Sequence, residues 1–267
     1  MTDVRPLVPA VARAAEVLEL LAGATEPMGV SAIARSLGLP KSSVANLCGA
    51  LVDAGFLRPH RSGFALGSKL AQLGAAYLSG VDQVGLFHEG CEHLGPGRSE
   101  TAQLAQLGDG IDVVYLARHE GVHPVRLAST PGRALPATCT ATGKAMLATL
   151  PTDEVRRRLA DGAPLPKLTP HSITSARAVL AELASIRESG VAYDRQEVIE
   201  GVVCLAVAVA SASPAEPPMA VSFTLLAPRA DRGNLDVLAA DLSQMARSIA
   251  SGLGVAEPGP APSSVVG

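Results

Sequence analysis

The chain has 267 residues, 48% of them hydrophobic, with a mean hydropathy of +0.28, which bounds it to one or two globular domains able to bury a sizeable core. Aromatic residues make up only 3% and tryptophan is absent, which disfavours a stacking platform for single strands, and no apolar run reaches the roughly 18 residues of a membrane span or the core of a secretion signal, so a cytoplasmic protein is expected. The net charge of −3 is uneven: residues 1–80 carry +2 and the remainder −5, so only the N-terminal part suits a nucleic acid, and it is weakly enough basic that two copies should share one duplex.

A first helix is expected over residues 8–22, with Val11, Ala15, Leu18 and Leu21 on its inner side. A second, over 31–37, turns Ile33, Ala34 and Leu37 inward and ends at Gly38-Leu39. The third is expected over 40–54, with Pro40 at its first position, where a missing N–H costs nothing, and Gly55 as a left-handed cap. Its apolar stripe is Val44, Leu47, Cys48 and Leu51, which leaves Ser42, Asn46, Gly49 and Asp53 outside. Small polar side chains on that face let a helix sink into the major groove, where Asn pairs bidentately with adenine. Residues 56–66 then read as two short strands around a turn, with Arg58, His60 and Arg61 at or near its tip, placed for phosphates or a narrow minor groove. The unit is a winged helix-turn-helix. Its candidate DNA contacts are Lys41, Ser42, Ser43 and Asn46 on the helix and Arg58, His60 and Arg61 on the wing.

Leu66, Leu70, Leu73 and Tyr77 repeat at helical spacing, predicting a linker helix over 68–79. A helix over 83–94 follows. The alternation of Glu100 to Leu107 predicts a half-buried strand, and Asp109-Gly110 a hairpin turn. Strands over 112–118 and 124–128, helices over 143–150, 152–160 and 175–189, strands over 191–193, 203–210 and 219–226, and a helix over 234–253 complete the pattern, with a disordered tail over 255–267. Strands early and late around a helical middle predict an α+β sheet with helices packed on it. Cys48, Cys91, Cys139 and Cys204 are widely spaced, which indicates reduced thiols rather than a zinc ribbon or disulfide framework.

Several segments, in order, resemble one family. They are Ala32 through Ser42, Leu66-Gly67, Gly132-Arg133-Ala134-Leu135-Pro136 with Ala141-Thr142-Gly143-Lys144-Ala145, Leu168-Thr169-Pro170, Ile186 through Ala192, and Glu197 through Gly201 to Cys204-Leu205-Ala206. The chain is similar to bacterial regulators of the isocitrate lyase regulator (IclR) type. That resemblance implies a winged helix-turn-helix over 1–67, a dimerising linker helix over 68–82 and a GAF-like α/β effector-binding domain over 83–254. It also implies a ligand-responsive transcriptional regulator, not an enzyme, that binds operator DNA as a homodimer or dimer of dimers. Its effector would be a small organic or aromatic acid, its target a catabolic operon, with no cofactor or metal.

By the same resemblance the effector pocket takes Ala141 and Thr142 ahead of Gly143, Asp194 and Cys204 on later strands, and Ser222 and Thr224 on the last. The residues themselves agree. A helix starting after Pro136 to Thr142 would offer free N–H groups near Thr142 to Lys144 to a carboxylate, and Ser222 and Thr224, two apart on a strand, face the same way. Asp194 would repel a carboxylate if ionised, so it either accepts from a ligand hydroxyl or closes a turn. The chain departs from the family at Asn46, where an Arg is usual, in its longer 211–218 loop, and after Thr224, where a glycine is usual.

Other chemistries fit less well. Thr142-Gly143-Lys144 lacks both the first glycine and the following Ser or Thr of a phosphate loop. His88 and His93 are five apart where the zinc protease pattern needs four, and no Gly-x-Ser-x-Gly occurs. The alternatives are an enzyme fused to a DNA-binding unit, with Cys204 or His171 catalytic, and a DNA-binding oligomer that ignores ligands.

Overall fold

In the computed structural model the chain divides into two compact units, Met1–Gly80 and Val81–Gly267. The structure describes residues 8–108, 110–123, 131–132, 134–160, 164–211, 213 and 215–255.

The first unit contains α1 (Pro9–Ala22), α2 (Val30–Leu37), α3 (Lys41–Asp53), a hairpin of β1 (Leu57–His60) and β2 (Gly63–Leu66), and α4 (Ser68–Ser79). Val17, Leu21, Ile33, Ala34, Val44, Cys48, Leu51 and Leu57 form its core. The inner face of α1 is turned from the expected one. Ala14, Val17, Leu18 and Leu21 pack inward while Val11 and Ala15 are exposed, because this alanine-rich helix carries apolar residues on more than one face. Gly38, at φ +65°, ends α2 in the left-handed conformation that the tight turn into α3 requires. Pro40 caps α3 from just outside, one position earlier than expected, its carbonyl accepting from Val44 N. The hairpin pairs Leu57 with Leu66 and His60 with Gly63, and Met28 bridges to Phe64 as a third, one-residue strand.

The second unit holds α5 (Asp82–Glu92), β3 (Thr101–Leu107), β4 (Asp112–His119), β5 (Ala134–Pro136), α6 (Ala141–Thr149), α7 (Thr152–Ala160), α8 (Ala176–Ser189), β6 (Ala192–Arg195), β7 (Val202–Val209), β8 (Met219–Leu226) and α9 (Arg232–Gly252). One six-stranded antiparallel sheet runs in the order β5-β4-β3-β8-β7-β6. Helix α6 packs on one face, backed by α8, and α5 and α9 cover the other. The α6 side is a core of small residues, among them Ala105, Ala141, Ala145, Ala206 and Ala220, closed by Met146, Leu147, Val179 and Leu183. Helices on both faces explain why β3 is buried along nearly its whole length rather than half-buried as its alternation predicts: its polar members Thr101 and Gln103 face α6, not water. Strand β5 was not predicted; three residues carry no periodic signal. The expected strand over 124–128, Asp109 of the expected turn and residues 256–267 of the tail lie outside the described residues.

Candidate functional site

Two surfaces bear the sequence-predicted residues, one in each unit. On α3 the apolar stripe holds: Val44, Cys48 and Leu51 are buried, while Lys41, Ser42, Asn46 and Gly49 are exposed and Ser43 is half-buried. No side chain caps the N-terminus of α3. Lys41 in its first turn adds a positive charge to the positive end of the helix dipole, an arrangement unfavourable alone and favourable against an anion. Arg58, His60 and Arg61 are exposed on the hairpin. Ser62 N donates to His60 Nδ1 at 3.3 Å and the Ser62 hydroxyl lies 2.8 Å from the same nitrogen, so in the neutral ring Nδ1 accepts and Nε2 carries the proton.

The second surface is a cavity between the sheet and the start of α6. Sheet register assembles it from distant residues: Asp194 pairs with Cys204 and Cys204 with Thr224 in one row, Ala206 with Ser222 and Ser222 with Gln103 in the next. Ala141, Thr142, Asp194, Cys204 and Ser222 line it, joined by Gln103, Tyr115, Leu135, Thr140, Val198, Ile199 and Val202. Gly143 and Thr224 stand behind this wall. A Cβ on Gly143 would lie 2.3 Å from Ala137 Cα, so glycine there lets α6 seat on the 137 segment. The Thr224 hydroxyl donates to Gln103 Oε1 (3.2 Å), which leaves its oxygen to accept from the Cys204 thiol (3.2 Å).

The amides at the head of α6 differ from expectation. Thr140 is the N-cap; its Oγ1 accepts from Gly143 N at 3.1 Å and its carbonyl from Lys144 N at 3.0 Å. A threonine cap thus consumes the amides expected to be free at Gly143 and Lys144, and helix geometry leaves those of Ala141 and Thr142, both at the cavity wall. Ser222 is 1% exposed, and its hydroxyl has no hydrogen-bond partner. Buried hydroxyls normally find one, and this one borders the cavity. The free space is tight, about 20 Å³, room for roughly one water.

Asp194 both closes a turn and lines the cavity. Its Oδ1 accepts from Glu197 N at 2.6 Å. Burial is the main force raising its carboxyl to about 7; the Glu197 amide opposes the rise, the Glu197 carboxylate adds to it and Lys144 opposes it. Burial likewise pushes the Cys204 thiol far above its ordinary range, which keeps it protonated, and His171 is exposed away from the cavity lining, so neither supplies a nucleophile or base there. The Tyr115 hydroxyl lies 3.4 Å from Thr142 Oγ1.

Sequence reasoning missed Gln103, Tyr115 and the apolar wall of Leu135, Val198 and Ile199. Gln103 is one of three polar residues on β3, with Thr101 and Gln106, so nothing local singles it out; strand order places it beside Ser222. It also missed Lys144, wholly buried and paired with two glutamates. Among the described residues no cluster of three or more His, Cys, Asp or Glu is placed to hold a metal, and no helix is long and apolar enough to cross a membrane.

Residues 75–251 match the family model described as bacterial transcriptional regulator IclR C-terminal, and residues 10–61 match the IclR helix-turn-helix domain. The chain is 35% identical over 203 residues to the probable transcriptional regulator SauR of Cupriavidus necator, covering 75% of this chain and 79% of that protein. The fold is similar to the crystal structure of an IclR transcriptional regulator from Alicyclobacillus acidocaldarius (TM-score 0.79, 25% identity, covering 92% of this chain and 99% of that one). It is also similar to an IclR homologue from Microbacterium hydrocarbonoxydans crystallised with 4-hydroxybenzoate (TM-score 0.72, 23% identity, 92% and 100% covered). With both units matched in order, a winged helix-turn-helix followed by an α/β domain, the chain belongs to the IclR family of DNA-binding bacterial transcriptional regulators.

Proposed function

We propose that this regulator answers to a small carboxylic acid held in the α6 cavity and adjusts transcription of genes that handle that acid. One observation carries the reading: the buried, unpartnered hydroxyl of Ser222 faces the same narrow space as the Ala141 and Thr142 amides. Amides at a helix start favour a carboxylate, and the hydroxyl suits the other pole of the same molecule. Because burial raises the Asp194 carboxyl, it is protonated below about pH 7 and there adds no repulsion to an incoming carboxylate. The cavity has room for about one water, so an acid binds only if Leu135, Val198 and Ile199 give way. That difference between closed and filled arrangements is what a switch needs, because a ligand shifts an equilibrium only by its differential affinity for two states.

On the DNA side, Ser42 and Asn46 read bases in the major groove, Lys41 and the first-turn amides near Ser42 and Ser43 hold a phosphate, and Arg58, His60 and Arg61 contact the backbone or minor groove. Two copies act together. Leu73 and Tyr77 are 48% and 52% exposed on α4, and Val11 is 66% exposed on α1, apolar surface that suits a second chain. With α4 as the linker, filling the cavity changes the spacing of the paired wings.

Titration calorimetry with acetate, lactate, benzoate and 4-hydroxybenzoate tests this. At least one acid should give saturable heat, and Ser222→Ala should weaken it by about 0.5–1.5 kcal/mol, the net worth of one hydrogen bond. Saturable heat that Ser222→Ala leaves unchanged contradicts the pocket.

A further inference from the structure

Behind the cavity lies a cluster that the pocket as described does not use. Lys144, 0% exposed, places its Nζ 2.7 Å from Glu182 Oε1 on α8 and 2.5 Å from Glu197 Oε1. A lysine without access to water keeps its charge only through such partners. Glu197 belongs to the segment 196–201 joining β6 to β7, and the start of that segment is fastened from several sides. Asp194 Oδ1 accepts from Glu197 N, Thr169 Oγ1 donates to the Gln196 carbonyl (2.7 Å), Ser172 Oγ donates to the Glu197 carbonyl (2.7 Å), and Gln196 Oε1 accepts from Gly201 N (2.8 Å). Gln196 is held at φ +67°, a conformation that a non-glycine residue keeps only where its surroundings enforce it. The next two residues, Val198 and Ile199, are cavity wall.

Lys144 stands on α6, whose first turn supplies the opposite wall. One ion pair therefore ties together the two walls between which a ligand would sit. The geometry points to Lys144 and Glu197 as positioning residues for the effector: their buried ion pair fixes the start of segment 196–201 and so sets how readily Val198 and Ile199 part to admit an acid. This rests on the effector reading above and adds to it the residues that govern opening.

Amide hydrogen exchange on the full-length protein tests the tie without any ligand. Glu197→Gln keeps the shape and an acceptor for Lys144 but removes the negative charge facing the ammonium, turning an ion pair into a weaker ion–dipole hydrogen bond, so exchange over 196–202 should quicken about tenfold. Glu182→Gln weakens the same lysine's bond to α8, which carries no cavity wall, and should change exchange over 196–202 by less than about twofold. Ser172→Ala, which leaves the ion pair intact and removes one anchor, should also quicken it, several-fold. Calorimetry with the same four acids then reads the consequence: Glu197→Gln should change the Kd of any acid that binds by about tenfold, and Glu182→Gln should not. Equal exchange over 196–202 in the two glutamate variants, or a lower melting temperature in Glu197→Gln without faster exchange there, overturns the proposal. If no acid gives heat with the unaltered protein, the effector reading fails, and the exchange comparison still decides whether the ion pair governs the segment.

Discussion

Asp194 shows how one side chain serves two ends. The sequence offered a ligand acceptor or a turn, and the structure gives the turn to Oδ1 while the carboxyl lines the cavity. Its carboxyl titrates at about 7, well above the ordinary 3.9 or so of an unfolded chain. The folded protein thus holds a proton that the unfolded chain has released between about pH 4 and pH 7, so this group costs stability increasingly as pH rises through that window and by a constant amount above it. Asp194→Asn keeps the oxygen that accepts from Glu197 N and removes the titration. Its melting temperature relative to the natural protein should climb from pH 4 to pH 7 and then level off; an offset independent of pH would contradict the assignment. Acid binding should also weaken above pH 7 in the natural protein alone, as Asp194 ionises beside the incoming carboxylate. Cys204 was legible because it lies in a recognisable segment, whereas Asp194 and Ser222, outside those segments, were reached through the strands on either side of it. Gln103 and Tyr115 were not, since what brings them there is the pairing of β3 with β8 and β4, which no local pattern encodes.

Among the elements, α3 was the most legible: its buried stripe and its bare outer face follow directly from 3.6-residue spacing. Helix α1 was less so, because alanine on several faces leaves the inner stripe ambiguous until packing decides it. Strand β3 misled for the opposite reason. Thr101 and Gln103 alternate as residues facing water would, yet they lie on the cavity side, under α6. The division of labour between α3 and the wing is open to test. Asn46→Ala should narrow discrimination between operators by about 1–3 kcal/mol per half-site, the worth of a bidentate base contact, as read by competition binding. Arg61→Ala should weaken binding to all sequences and lower the salt slope by about 1. Unchanged relative affinities in Asn46→Ala would remove it from base reading.

For the molecule as a whole, fold class and the order of parts were readable because strands gather at both ends of the second unit and a compact helical trio precedes them. The strand order β5-β4-β3-β8-β7-β6 was not, being a property of long-range pairing. The proposed function depends at this scale on a free energy shared between cavity and DNA face. The most direct measurement is operator affinity, by fluorescence anisotropy on DNA from upstream of this protein's own gene, with and without an acid that gives saturable heat. The acid should shift the Kd by about fivefold or more in either direction, the low end of allosteric coupling, and Ser222→Ala should blunt that shift while leaving the acid-free Kd unaltered. An acid that saturates the cavity and leaves the operator Kd where it was would contradict the proposed switch.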